Sequence, residues 1–174
     1  SSDAARPRGR LLDRVARCGA ASRTMFTARR SRVSPVEIAP GVHARTLYAA
    51  AAGRNLRPGE PVLARLIELC AGSQWTGPAA DRHREWLVVQ GAVQLGTETL
   101  GLRDYHVAPT GTAQAPISTE QGALLFVRES MLPASAGTVT TTVHDALAGW
   151  PDYAPGIRRR VLWQHAGQAA MLYH

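Results

Sequence analysis

The sequence contains no lysine, and all 20 of its basic residues are arginine. It has only two cysteines, Cys18 and Cys70, which lie far apart and form no CxxC pair. This spacing excludes a zinc-finger framework, and we expect free thiols in a reducing compartment. No apolar run approaches the roughly 20 residues of a membrane-spanning helix, and no apolar stretch follows the N-terminal charges as in a secretory signal. These absences predict a cytoplasmic protein that does not enter a membrane.

The positive charge is concentrated at the N-terminus. Residues 1–34 hold nine arginines and two acidic residues, which accounts for the whole formal net charge of +7. The remaining 140 residues balance 11 arginines against 11 acidic residues. Aromatic residues are not interleaved with these arginines as they are in single-strand binders, so we favour a solvated basic extension over a nucleic-acid-binding arm. The chain begins without methionine, which indicates a processed product or a fragment.

The extension and the rest of the chain show different periodicities. Leu11, Leu12, Val15 and Cys18 have helical spacing and Gly19 follows them, which predicts a short helix over 10–18. Beyond the extension, short apolar runs are separated by Gly, Pro and Asn, as is typical of an antiparallel sandwich or barrel. We predict an all-β domain with strands over 42–49, 61–69, 85–95, 97–102, 105–108, 123–128 and 138–143.

One segment occurs twice. Residues 39–48 read APGVHARTLY and residues 154–163 read APGIRRRVLW, and each copy leads into a further apolar run. A repeat at this spacing indicates duplicated units. The second copy has only its opening strands, so these strands either begin a truncated second domain or complete the sheet of the first domain or of a partner. Because exposed strand edges recruit partners, the second copy favours a homodimer.

The predicted organisation therefore has three parts. Residues 1–34 form the basic extension with its short helix. Residues 35–143 form the β domain. Residues 144–174 form a partial second repeat, or strands that complete a sheet or a dimer.

Several short motifs occur in a family-like order between residues 40 and 128. Gly41 and Leu47 match a "PGV…L" opening, and residues 85–91, EWLVVQG, match a strand and turn of the form "EE-I-L-V-L-E-G". Three further matches follow in order: Asp104-Tyr105, Pro109-Thr110-Gly111 with Ala115-Pro116, and Gln121-Gly122 with the apolar run 123–127. Over about half of its length the chain resembles the cupins, and in particular the cupin-like C-terminal domain of ChrR-type anti-sigma factors. The resemblance implies a jelly-roll β-sandwich or barrel.

The resemblance also implies where a metal would be held. Cupin enzymes bind a divalent cation inside the barrel with an HxH pair, a following Glu and a distant His, because alternate residues of a strand point to one face. An ungapped alignment places Pro78, Ala80, Arg84 and Gln114 at these positions. Pro, Ala and Arg side chains cannot bind a cation, so we predict a degenerate site without a metal cofactor.

A shorter loop gives an alternative alignment. Asp81, His83 and Glu85 would then alternate along one strand and, with Gln114, form an oxygen-rich site for zinc, iron, nickel or manganese. Without a metal, the candidate ligand pocket comprises His83, Glu85, Trp86, His106 and Gln114.

Two functions follow from these alignments. The degenerate site predicts a regulatory module that binds a small molecule or a protein, with a second copy of the chain and a regulatory protein such as a sigma factor as partners. No closely spaced Cys/His set precedes the β domain, so the zinc-binding domain with which ChrR proteins clamp a sigma factor is missing from this sequence. The alternative function is a metal-dependent cupin dioxygenase or isomerase that uses Asp81, His83 and Glu85.

Overall fold

The computed structural model describes residues 32–77, 81–133, 139–165 and 167–174. The helix predicted over 10–18 lies outside these ranges. The described chain contains no helix with the length and apolarity that crossing a bilayer requires. Within the same ranges, fourteen β-strands form three sheets. The strands are β1 (Val36–Ala39), β2 (Val42–Ala49), β3 (Pro61–Leu69), β4 (Gln74–Trp75), β5 (His83–Gly91), β6 (Val93–Leu95), β7 (Glu98–Leu100), β8 (Tyr105–Ala108), β9 (Ile117–Ser118), β10 (Ala123–Ser130), β11 (Thr141–Val143), β12 (Asp152–Ala154), β13 (Ile157–His165) and β14 (Gln168–Tyr173).

Two of the sheets form a sandwich. The larger has seven strands in the order β1-β2-β3-β10-β5-β8-β11, and the smaller has the order β4-β9-β6-β7. Every strand pairing among the described residues is antiparallel. The non-sequential strand order requires long crossovers between the sheets, as in a jelly roll. The predicted all-β jelly-roll sandwich is confirmed.

The main core lies between these two sheets. We call the side of the seven-stranded sheet that faces the smaller sheet its inner face. Alternate residues of each strand supply this face, including Trp86 and Val88 of β5, and Leu125 and Val127 of β10. Full burial of an aliphatic side chain contributes about 1.5–3 kcal/mol, so this alternation is the main source of the sandwich's stability. The fully buried core side chains include Val42, Ile67, Val88, Leu100, Ile117, Leu125 and Val127.

The third sheet, β12-β13-β14, covers part of the outer face of the large sheet. Leu162 of β13 is buried against Tyr105 and Val107 of β8, and Trp163 and Leu172 pack beside them. This C-terminal sheet also approaches the β2–β3 connection closely, because a Cβ added at Gly59 would lie 2.3 Å from the Gln168 side chain. The outer face of the large sheet is therefore buried where strands β5 and β8 run beneath the C-terminal sheet.

The repeated sequence corresponds to two hairpins of matching geometry. Ala39 pairs with Val42 across one turn, and Ala154 pairs with Ile157 across the other. The turn glycines have φ values of 69° at Gly41 and 74° at Gly156, in the left-handed region that glycine adopts without a steric penalty. Strands β12 and β13 thus repeat the pairing of β1 with β2, and β14 repeats the position of β3. The division into domains at residues 34 and 143 stays a prediction.

A buried arginine fixes the C-terminal sheet to the preceding loop. Arg160 of β13 is buried, and it bonds the Asp145 carboxylate and the carbonyl oxygens of Ala148 and Gly149. Its guanidinium also lies 4.2 Å from the centre of the Trp150 ring. Asp145 joins this group to the barrel, since its backbone NH donates to Asp104 at 2.7 Å.

Most predicted strands are present in the structure, but the run 85–95, predicted as one strand, is not continuous. It divides into β5 and β6 at Ala92, where the backbone of Gly91 passes so close to Gly122 that a Cβ would lie 2.3 Å from the Gly122 carbonyl oxygen. Strands β4 and β9 have two residues each and were not predicted. Two residues are too few to show an alternation.

We expect Leu162→Ala to lower the free energy of unfolding by about 2–4 kcal/mol, because it opens a cavity under the C-terminal sheet. The measurement is chemical denaturation followed by circular dichroism. Leu147→Ala is the matched control, since Leu147 is 84% exposed, and it should change stability by less than about 0.5 kcal/mol. Equal effects of the two substitutions would show that the C-terminal sheet does not pack on the barrel.

Candidate functional site

Strand β5 divides the predicted site residues between two faces. Arg84, Trp86 and Val88 lie on the inner face. Trp86 contacts Trp75 of the opposite sheet at a ring-centre distance of 5.6 Å. His83 and Glu85 lie on the outer face, where His83 packs against Trp163 of the C-terminal sheet at 4.5 Å. The five predicted pocket residues therefore do not line one pocket.

A group of charged side chains occupies the inner face at one end of the sandwich. Three guanidinium groups surround the carboxylate of Glu129, with nitrogen-to-oxygen distances of 3.1 Å from Arg65, 3.5 Å from Arg84 and 3.6 Å from Arg82. We call these four residues the arginine cluster. The side chains of Arg84 and Glu129 are only 2% and 5% exposed. Burial lowers the pKa of Arg84 and the Glu129 carboxylate opposes that shift, so the guanidinium stays protonated.

Arg84 also binds Gln114. Its Nη1 donates to the amide Oε1 at 2.5 Å. In the ungapped alignment, Arg84 and Gln114 occupy two of the four metal-ligand positions. The residues at the other two, Pro78 and Ala80, lie outside the described residues. Gly77 packs against the pair, since a Cβ there would lie 3.2 Å from Gln114 Oε1 and 3.3 Å from Arg84 Nη1.

These residues do not fit a divalent cation. A guanidinium has no lone pair to offer and would repel the ion, and the amide oxygen of Gln114 is already engaged by Arg84. Nowhere in the described ranges do three or more His, Cys, Asp or Glu side chains group so as to hold a metal. Apart from the Glu129 carboxylate, the charged groups of this cluster are guanidiniums, which only donate hydrogen bonds.

Trp86 and His106 extend the inner face beyond the arginine cluster. Their rings meet edge to face at 6.4 Å. The Thr142 hydroxyl donates to Glu98 at 2.6 Å, so the 2.8 Å contact between Thr142 and His106 is a donation from His106 Nδ1. Burial lowers the pKa of His106 and Glu98 opposes the shift, which favours the neutral ring.

On the outer face, His83 is enclosed between the barrel and the C-terminal sheet. It is 2% exposed, and Ser130 of β10 lies directly opposite it in the strand pairing. Neither His83 Nε2 nor the Ser130 hydroxyl has a hydrogen-bond partner among the described residues. Burial lowers the pKa of His83, although Glu85 opposes that shift. His83 is therefore a buried neutral side chain of an internal interface.

Glu85 belongs to a separate hydrogen-bonded group on the same face. Tyr105 donates its hydroxyl to Glu85 Oε1 at 2.7 Å, and Arg128 forms an ion pair with the other carboxylate oxygen. Arg128 also donates to the Gly59 carbonyl at 2.8 Å. Burial, with the nearby Glu85 charge, raises the pKa of Tyr105, so the phenol stays protonated and keeps donating.

The alternative metal set of Asp81, His83 and Glu85 does not line the barrel interior. The side chain of Asp81 is 69% exposed and lies 3.8 Å from Arg82. His83 and Glu85 face the C-terminal sheet, and Gln114 is on the opposite side of β5. The sequence correctly predicted that His83 and Glu85 share one face of the strand, but not that this face points away from the barrel interior.

Arg65 and Glu129 were not predicted, because they lie on strands β3 and β10 and come together only through strand pairing. A cleft of about 1040 Å³ beside the Gly91 and Gly122 turns was not predicted either. Polar and apolar residues line the cleft about equally, and the polar ones include Glu68, Gln90, Gln94, Thr99, Ser118 and Gln121. No sequence pattern distinguishes these residues from ordinary surface positions.

Stability should fall as the solution is acidified from pH 7 to pH 5. The pKa values of His83 and His106 are lowered in the folded state, so below the ordinary histidine pKa of about 6.5 the unfolded chain takes up protons that the folded chain resists. His83→Asn should reduce this pH dependence, as measured by chemical denaturation at several pH values. Leu147→Ala, which removes no titrating group, should keep the wild-type slope. If His83→Asn keeps it too, the folded protein holds His83 at an ordinary pKa.

No model of a known protein family matches the sequence, and no curated protein sequence matches it. Solved structures do match. A Pseudomonas aeruginosa protein described as glyoxylate-induced is similar at a TM-score of 0.59 and 14% identity over 82% of this chain, which spans 61% of that protein. The complex of Rhodobacter sphaeroides SigE with the anti-sigma factor ChrR matches at 0.50 and 20% identity, over 75% of this chain and 70% of that one. The polyketide cyclase RemF of Streptomyces resistomycificus matches at 0.50 and 18% identity, over 64% of this chain and 83% of that one.

These identities are low, so the similarity concerns the fold and not the activity. The antiparallel sandwich, its crossovers and its neighbours agree with the resemblance found in the motifs. The chain has the jelly-roll fold of the cupin superfamily.

Proposed function

We propose that this chain is a regulatory cupin module that binds a ligand or a protein without a metal cofactor. The observation that carries the proposal is the arginine cluster, whose Arg84 donates to Gln114 on the inner face. A charged guanidinium in that position disfavours a cation by direct repulsion. Cupin-fold neighbours include enzymes and a regulator, so the chemistry of the site and not the fold supports this function.

The regulatory part of the proposal has one structural parallel. The ChrR structure contains an anti-sigma factor bound to SigE. By analogy, we assign this chain a place in the cytoplasm and a regulatory protein partner such as a sigma factor. The analogy is one of fold.

We further propose that the chain forms a homodimer through strand β14. The outward edge of β14 has no paired strand among the described residues, and its sequence, QAAMLY, contains neither a charge nor a proline. By contrast, the edge strand β1 carries Glu37 between Pro35 and Pro40, and the edge strand β12 carries Asp152 beside Pro151; the edge strands β4, β7 and β11 have only two or three residues each. Unprotected edges pair with other chains. Two β14 strands related by a two-fold axis would give a continuous six-stranded sheet.

The metal experiment is elemental analysis of freshly purified protein and of protein dialysed against zinc, iron, nickel and manganese salts. We expect well under one ion per chain, because the inner face presents guanidinium groups. The control is the double substitution Asp81→Ala, His83→Ala. One tightly held ion per chain that this double substitution abolishes would overturn the metal-free proposal and favour the enzymatic alternative.

The dimer experiment is sedimentation equilibrium over a range of concentrations. We expect the wild-type chain to have the mass of a dimer and Tyr173→Lys to weaken association at least tenfold, because a lysine on an edge strand disfavours pairing. Leu147→Lys, at another exposed apolar residue, should leave the dimer intact. A monomeric wild type, or a dimer that tolerates Tyr173→Lys, would refute pairing through β14.

A further inference from the structure

The arginine cluster has more positive charge than its acidic residues neutralise. Three guanidinium groups share the single buried carboxylate of Glu129. The side chain of Arg82 is 34% exposed and lies 3.8 Å from the exposed carboxylate of Asp81, so water screens both charges. Among the described residues, the buried part of the cluster is therefore Arg65 and Arg84 against Glu129. Buried charges are costly unless they are paired, and the cost is largest for an excess of one sign. The excess here is positive, so a negatively charged group would lower the free energy of the cluster.

Buried hydrogen-bond donors accompany this excess. Among the described residues, Arg65 Nε, Gln114 Nε2 and Trp86 Nε1 are enclosed atoms without a hydrogen-bond partner. All three belong to residues of the inner face, and all three are donors. Buried donors in folded proteins are almost always satisfied, by protein, water or a ligand. A molecule that satisfies this set must supply acceptors.

The side chains around the cluster indicate which acceptor group a ligand would carry. A guanidinium presents its N–H groups in a planar fork that matches the two oxygens of a carboxylate. Beyond the cluster, the inner face becomes aromatic and apolar, with the Trp86 ring tilted against Trp75 at a ring-centre distance of 5.6 Å. A phosphate would leave oxygens against this apolar surface. A carboxylate attached to a short carbon skeleton would place acceptors at the arginines and carbon at the tryptophans.

We infer that the barrel interior binds a small organic carboxylate, held between Arg65 and Gln114 with its carbon skeleton toward Trp86. This inference rests on the proposed metal-free function and gives it a ligand class. Arg65 and Gln114 supply the recognition, and Glu129 holds Arg65 and Arg84 in place. Charge and hydrogen-bonding pattern, not a bound cation, then determine which molecules enter.

The test is isothermal titration of the full chain with acetate, pyruvate and benzoate, each compared with a neutral or tetrahedral probe: acetamide, benzamide and inorganic phosphate. We expect at least one carboxylate to bind with one site per chain and its amide to bind at least tenfold more weakly. Arg65→Gln should weaken that binding at least tenfold, and Gln114→Leu should weaken it by a factor of about 3–10. Arg45→Gln is the matched control, because Arg45 pairs with Glu68 on the outer face and should leave binding unchanged.

Each other outcome has a definite meaning. Equal binding of a carboxylate and its amide, or carboxylate binding that tolerates both substitutions, would overturn the carboxylate class and leave the metal-free function standing. Phosphate binding of the same strength and the same sensitivity to Arg65→Gln would overturn it in favour of a general anion site. Failure of all three carboxylates to bind at about 10 mM, near the weak limit of specific affinity, would also overturn it. If circular dichroism shows Arg65→Gln to be unfolded, Gln114→Leu carries the test, while a stoichiometric metal would defeat the proposed function itself.

Discussion

The central interaction of this molecule is the burial of the Arg84 guanidinium against Glu129 inside a cupin barrel. A buried arginine requires a counter-charge and acceptors, and the fold supplies them from a strand and a loop: Glu129 on β10 provides the carboxylate, and Gln114 beyond β8 provides the amide oxygen. The register of the seven-stranded sheet places Glu129 directly opposite Arg84. The site is therefore a consequence of strand pairing, and removing one partner would leave a charge or a polar group buried alone.

The charge of the groups that line a jelly roll determines which ligands it can bind. A barrel lined with imidazole and carboxylate holds a cation, which then activates water or substrate. A barrel lined with guanidinium and amide groups, as we propose for this chain, would instead select anions by charge and hydrogen bonding. Such an interior suits recognition better than catalysis, which is why regulation is the proposed function.

The sequence predicted the strands well where turn residues bound them. Val42–Ala49, Pro61–Leu69 and Tyr105–Ala108 match the structure to the residue, because glycine, proline or polar residues end each run. The facing of β5 could not be predicted. The C-terminal sheet buries the outer face of that strand, so His83 and Glu85 are as enclosed as Arg84 and Trp86. A strand buried on both faces shows no polar alternation, and the period of two fixes which residues share a side but not which side is inside. The meeting of Arg65 with Glu129 was equally hidden, since 64 residues separate them in the sequence.

Strand β5 also acts as a common wall between two compartments. Successive side chains alternate between the inner face and the outer face beneath the C-terminal sheet. His83, Arg84 and Glu85 therefore share one short stretch of backbone but lie on different faces. Side chains are closely packed on both faces of the strand, and packed interiors transmit strain rather than absorb it. A molecule that displaced Arg84 would therefore also displace His83, whose ring contacts Trp163 of the C-terminal sheet at a centre distance of 4.5 Å.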